Sequence, residues 1–126
     1  MENELPVVKK VTCVVDCGIV VNPLGARNQI EGGVIDGIGH AMYGDFSFKN
    51  GEPQDKNFNS YKLIRMNETP VVETHFVESE MAPTGLGEPT LPPAGAAVAN
   101  AIKAAKGVRL YNQPFVKYLK TKAPLG

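Results

Sequence analysis

Tryptophan is absent from the 126 residues, and there are only two cysteines and two histidines. A metal centre built from side chains needs three or four well-spaced ligands. Cys13 and Cys17 lie four apart, and neither His40 nor His75 stands at ligand spacing to them. All four are therefore read as structural residues rather than metal ligands. If residues 13 and 17 share a strand face, they sit roughly 13 Å apart, beyond the roughly 7 Å that a disulfide spans. Both thiols are expected to be free, buried and in a reducing compartment. Net charge is also absent, with thirteen Lys and Arg against thirteen Asp and Glu. That balance gives no electrostatic footprint for nucleic acid or an anionic membrane. No apolar run approaches the roughly 20 residues of a membrane span. The opening MENELPVVKK lacks a basic segment followed by an apolar one, so the expected location is cytoplasmic.

Glycine and proline are in excess: 13 and 10 make 23 of 126 residues, where an average chain has about 15. With 43% hydrophobic and 21% charged residues the composition is still that of a folded protein. The length fits a single domain, 1–126, able to bury roughly two-thirds of its unfolded surface.

Residues 7–16 are rich in β-branched side chains and read as a strand, its second half apolar enough for cover on both faces. Asn22-Pro23 is a helix start, with Asn as N-cap and Pro first in the helix. Over 24–43, Ile30, Val34, Ile38 and Met42 form one apolar stripe, and Gln29, Gly33, Asp36 and His40 the opposite one. Arg27 and Glu31 are spaced to form a partly buried structural pair. This helix also holds Gly25, Gly32, Gly33, Gly37 and Gly39, and each interior glycine costs roughly 0.5–1 kcal/mol relative to alanine. Such a burden fits a helix on which backbone or ligand packs closely from more than one side.

Asn50-Gly51 marks a type I′ hairpin joining 45–49 to 52–57. Residues 61–66 read as a short strand or helical turn, and 70–77 as a strand. The stretch 78–93 is a long connection with several prolines and glycines, of the kind that carries function. Residues 94–106 form an Ala-rich helix with Ala94, Val98, Ala101, Ile102 and Ala105 on one face and Gly107 as its cap. A short helix is expected at 114–120. The class is α+β: a small mixed sheet with two main helices packed against it.

VDCGIVVNP, QIEGGVIDGIG and PTGLGEPTLPP, the last followed by an Ala-rich helix, together resemble the C-terminal part of the molybdenum hydroxylase large subunit. This is the xanthine oxidase and aldehyde oxidase family, and NFNSYKLIRMNETP and VETHFVESEMAPTGLGEP are similar to its isoquinoline 1-oxidoreductase β-subunit branch. The resemblance covers residues 8–115 and leaves 1–7 and 116–126 as tails. It implies that Glu88 is the catalytic base beside the molybdenum. It implies that Gln29 lies against the molybdopterin cofactor and that Gly87, with neighbouring backbone amides, shapes the same pocket. The implied reaction is hydroxylation of an N-heteroaromatic or aldehyde carbon with water as oxygen donor.

From spacing alone, Glu88 is a solvated loop carboxylate favoured by the dipole of the following helix. Gln29 is an exposed first-turn residue, and Asp36 and His40 belong to the surface. The family's other cofactor loops, its substrate-binding aromatics and the cysteines of its iron–sulfur partner have no counterpart here. Three origins fit: an excised piece, a truncated gene product, or the small subunit of a split enzyme, with Met1 and its polar lead favouring a complete short reading frame. The implied partners are the remaining molybdopterin-binding portion and an iron–sulfur subunit. Alone, the chain is expected to hold no cofactor, to be inactive and to form a homo-oligomer. The competing reading is a non-catalytic truncated domain that serves as an assembly or binding module.

Overall fold

The computed structural model describes residues 5–120, so the ends of both expected tails lie outside the described residues. The elements run β1 (Lys10–Val15), α1 (Pro23–Tyr43), β2 (Phe48–Lys49), β3 (Glu52–Pro53), β4 (Val71–Phe76), α2 (Leu91–Lys106) and α3 (Phe115–Lys120). The fold is α+β as expected, with its sheet in two pieces. β1 and β4 pair in parallel, from Lys10 opposite Val71 to Val15 opposite Phe76, and β2 and β3 form a separate antiparallel hairpin. No helix among the described residues is long and apolar enough to cross a membrane.

α1 starts where Asn22 caps it: the Asn22 Oδ1 accepts a hydrogen bond from the Gly25 N–H at 3.0 Å, and Pro23 opens the first turn. Its stripe of Ile30, Val34, Ile38 and Met42 is buried against Ala94, Val98 and Ile102 of α2 and against Leu110 and Phe115. α2 begins three residues before the expected Ala94. Its first turn includes Pro92 and Pro93, which is tolerated because first-turn N–H groups have no intrahelical partner. Gly107 closes α2 in the left-handed conformation, φ 75°. α3 buries Phe115 and packs Val116, Tyr118 and Leu119 against the core, so 116–120 is a docked element rather than a tail.

Other sequence expectations need correction. β1 is covered on one face only: Val11, Cys13 and Val15 turn inward, while Val14 stays 67% exposed. The strand ends at Val15, so Cys17 does not share its face with Cys13; Cys17 is buried beyond the strand end and both thiols are free. The hairpin is two residues a side; Phe48 and Pro53 face each other where no ladder hydrogen bond falls, and beyond them the Gln54 N–H donates to the Ser47 carbonyl at 2.9 Å. Its turn has Asn50 and Gly51 at φ 52° and 80°, the left-handed pair that type I′ requires. Residues 61–65 carry no regular structure, and a 3-10 turn follows at Met66–Glu68. There, Glu68 accepts hydrogen bonds from the Lys62 ammonium at 2.7 Å and from the Arg65 N–H at 2.9 Å. Lys62 holds the Glu68 carboxyl below the usual carboxylate range. Arg27 is exposed and makes no ion pair with Glu31.

The glycines of α1 are contact points on two sides. A Cβ on Gly39 would lie 3.0 Å from Ile64 Cγ2, so the segment returning from the hairpin sits directly on the helix. On the other side, a Cβ on Gly37 would lie 2.5 Å from the Leu91 carbonyl oxygen and 2.8 Å from Ala94 Cβ, and a Cβ on Gly33 would overlap Thr90 Oγ1. Gly32 has nothing within 4 Å of that position. The pair gives a test of sign. Gly32→Ala gains helix propensity and is expected to stabilise the chain by about 0.5–1 kcal/mol. Gly37→Ala gains the same propensity but strikes backbone, and is expected to destabilise by about 1–3 kcal/mol. Urea midpoints measure both; a Gly37→Ala chain at least as stable as the parent contradicts the close packing.

Candidate functional site

Beyond the Val77 N–H, which donates to the Val15 carbonyl at 2.9 Å and continues the β1–β4 ladder, the connection from β4 to α2, residues 77–90, is fixed to the body at two places. Near its middle the Ile19 N–H donates to the Met81 carbonyl and the Thr84 N–H to the Cys17 carbonyl, both at 3.0 Å. Gly18 between them has φ 70° and the Ala82 carbonyl oxygen where its Cβ would be, a place only glycine fills. At its end Thr90 is buried, 5% exposed, and its hydroxyl donates to the Ile30 carbonyl of α1 at 3.2 Å. Leu86 packs partly against the core from within this connection.

Between the two attachments, the segment 85–88 passes beside Gln29. The Gln29 Nε2 lies 3.8 Å from the position a Gly87 Cβ would take, and among the described residues it is the only neighbour within 4 Å there. The fold thus joins two of the three site residues named from the sequence, 58 positions apart in the chain. Gln29 is exposed as expected, but it stands in the second turn of α1, as its seventh residue, rather than in the first. Glu88 follows directly and is exposed. Its carbonyl accepts from the Leu91 N–H at 3.2 Å, while its carboxylate makes no hydrogen bond or ion pair among the described residues. The backbone N–H groups of Gly85, Leu86 and Gly87 are likewise without protein acceptors, and a Cβ at Gly85 would meet nothing within 4 Å. One short stretch therefore presents several open donors, a carboxamide and a carboxylate able to accept a proton. That donor set suits an oxygen-rich ligand lying against backbone.

The other polar candidates stay apart from this stretch. Asp36 and His40 form an exposed pair at 3.5 Å on α1. Burial pushes the Cys13 thiol up, which keeps it protonated and a poor nucleophile. Among the described residues no three His, Cys, Asp or Glu side chains could hold a metal ion. A groove of about 720 Å³ lies elsewhere: it runs between β1 and the apolar faces of α1 and α2, and Gln29, Gly87 and Glu88 do not line it. Sequence reasoning missed Thr90. The available signal was a threonine with one hydroxyl immediately before an apolar, proline-bearing helix start, but its partner lies 60 residues away.

Comparison with known proteins identifies the family. The molybdopterin cofactor-binding domain family matches residues 6–70. A membrane-bound aldehyde dehydrogenase (pyrroloquinoline-quinone) of Gluconacetobacter polyoxogenes is 41% identical over 106 residues, 84% of this chain and 14% of that protein. The isoquinoline 1-oxidoreductase β subunit of Brevundimonas diminuta is 34% identical over 113 residues, 90% of this chain and 14% of that subunit. Among solved structures, quinoline 2-oxidoreductase from Pseudomonas putida 86 shares the fold with TM-score 0.77 at 24% identity, over 86% of this chain and 15% of that one. The chain thus spans about a seventh of the length of these relatives. It belongs to the molybdopterin-binding domain family of the xanthine oxidase-type molybdenum hydroxylases and corresponds to one portion of their large subunit.

Proposed function

We propose that this chain is the base-bearing C-terminal portion of a molybdenum-dependent hydroxylase, acting on an N-heteroaromatic or aldehyde carbon. The observation that carries the reading is the meeting of Gln29 with Gly87, which sets a carboxamide, open backbone donors and Glu88 along one edge. These residues fit one wall of a cofactor site: Gln29 and the N–H groups of 85–87 would hold polar atoms of the molybdopterin, and the bare Gly87 lets it approach the backbone. When bound, the molybdenum centre supplies the oxygen-transfer and electron-accepting chemistry. Glu88 takes the proton released as the water-derived oxygen attacks the electron-poor carbon, which a carboxylate without a competing partner is free to do. Pro89, directly after it, restricts the backbone that aims it.

One wall does not enclose a ligand, and tight sites bury most of their ligand's surface. The missing walls would come from the remaining molybdopterin-binding portion, with an iron–sulfur subunit as the electron partner. The purified chain alone is expected to be inactive and to contain far less than one molybdenum per chain. Stoichiometric molybdenum by elemental analysis contradicts that.

The chain is also expected to self-associate. The groove beside β1 exposes Val7, and the sheet's outer surface exposes Val14 and Val71 at 67% and 69%. Apolar surface of this kind with no net charge to oppose contact favours closed pairing. Sedimentation equilibrium over a hundredfold concentration range is expected to show a mass rising above 13.5 kDa; a constant 13.5 kDa contradicts it.

In an enzyme reconstituted from this chain and its missing portion, Glu88→Gln is expected to lower kcat by about 10²–10⁴-fold with little change in KM. In the chain alone the same substitution is expected to change stability by no more than about 0.5 kcal/mol, because the side chain is exposed and unpaired. Near-normal turnover removes Glu88 from the role.

A further inference from the structure

We infer that Thr90, seated on Gly33, is a positioning residue that sets the separation of Gln29 from the Gly87–Glu88 segment. The inference rests on the proposed reading of those three residues as one wall of the cofactor site. Its physical basis is independent of that reading.

Two contacts one helical turn apart join the start of α2 to α1. At Gly37 the missing side chain lets the Leu91 carbonyl approach the helix. The apolar packing of α1 on α2 already fixes how the two helices cross. The second contact, Thr90 on Gly33, carries that restraint to the residue just before α2. The Thr90 hydroxyl has its hydrogen bond to Ile30, the residue after Gln29, and lies where a Gly33 Cβ would be. Thr90 is two residues from Glu88 and three from Gly87, so rotation at this point moves both. Among the described residues no other hydrogen bond restrains the segment relative to α1. Residues 85–87 make none, and the bond from Leu91 to the Glu88 carbonyl ties Glu88 to α2 rather than to α1. Upstream, Leu86 packs partly against the core, and the nearest hydrogen-bonded anchor is Thr84 on Cys17, which lies before α1. Thr90 is also the one buried polar residue among those described. A buried hydroxyl at a helix start can serve as a cap, but Thr90 is helical in its own backbone and makes no capping bond with α2. Its hydroxyl is spent on α1.

The test is nuclear magnetic resonance on the isotope-labelled chain, with no cofactor required. The parent is expected to show a nuclear Overhauser effect between the Gln29 side-chain amide and the Gly87 Hα. A second effect, between Gly37 Hα and the Ala94 methyl, reports the helix packing. Thr90→Val keeps the shape and removes the hydroxyl. It is expected to lose most of the Gln29–Gly87 effect while keeping the Gly37–Ala94 one, and Thr90→Ser is expected to restore the first. An undiminished Gln29–Gly87 effect in Thr90→Val overturns the inference. If Thr90→Val fails to fold, Thr90→Ser decides alone: it retains the hydroxyl without the methyl, so a kept Gln29–Gly87 effect supports the inference and a lost one overturns it. In a reconstituted enzyme, Thr90→Val is expected to lower kcat about ten- to hundredfold through misplacement, with rescue by Thr90→Ser. Failure of the proposed function is seen separately, as Glu88→Gln leaving turnover intact while the magnetic-resonance result stands.

Discussion

Two glycines one turn apart on α1, Gly33 and Gly37, face the last residue of a loop and the first residues of the next helix. No side chain separates them from Thr90, from the Leu91 carbonyl or from Ala94. Everything that gives the chain a candidate site depends on that approach. It seats the apolar faces of α1 and α2 on one another, with Ile30, Val34 and Ile38 against Ala94, Val98 and Ile102. It also brings the residues just before α2 alongside the second turn of α1, which is how Gly87 comes to lie beside Gln29. The intrinsic cost of glycine in a helix, of order 1 kcal/mol each, is outweighed only if the contact it permits stabilises more. Gly33 and Gly37 satisfy that condition. Gly32 does not, and it stands on the exposed surface.

The local structure was well written in the sequence. Asn22-Pro23, the four-residue repeat from Ile30 to Met42, Asn50-Gly51 and Gly107 each act through their own backbone or one helix face, so short-range reasoning suffices for them. The glycine burden of α1 also pointed to close approach on two sides, and Gly39 against Ile64 supplies the second side. What escaped is whatever needs a partner far along the chain. Thr90 and Ile30 are 60 residues apart, and no periodicity relates them. The outer face of β1 is apolar at Val14 yet open, because cover is decided by neighbouring elements and not by the strand's own composition. Arg27 and Glu31 have the spacing for a pair, but with Arg27 exposed to water such a pair gains little from meeting. Gln29, Gly87 and Glu88 were named through the family resemblance; spacing alone left them as surface residues, and surface residues they are in this chain.

The site is therefore a one-sided arrangement held from within. The edge formed by Gln29, Gly87 and Glu88 carries no buried charge and no interlocking polar network among the described residues, so little inside the chain opposes its exposure. The deeper recess lies on the other side of α2's start, lined by β1 and the small residues Ala97, Ala101 and Ala105. Thr90 touches both regions, since it also lines that groove. A single buried hydroxyl thus stands between the apolar interior and the polar edge.

The central claim is that direct contact between Gly33 and Thr90 governs this junction, and a double-mutant cycle measures that contact. In the parent, a Cβ at position 33 overlaps Thr90 Oγ1, while its next neighbours, Leu91 N at 3.5 Å and Thr90 Cβ at 3.6 Å, are at ordinary distance. Removing the hydroxyl should therefore remove the conflict. Unfolding free energies of the parent, Gly33→Ala, Thr90→Ala and the double variant give the coupling. Gly33→Ala is expected to cost at least about 1 kcal/mol less in the Thr90→Ala background than in the parent. Additivity within about 0.5 kcal/mol would mean that the two residues do not bear on one another, and the account of how this fold holds Gln29 beside Gly87 would be wrong.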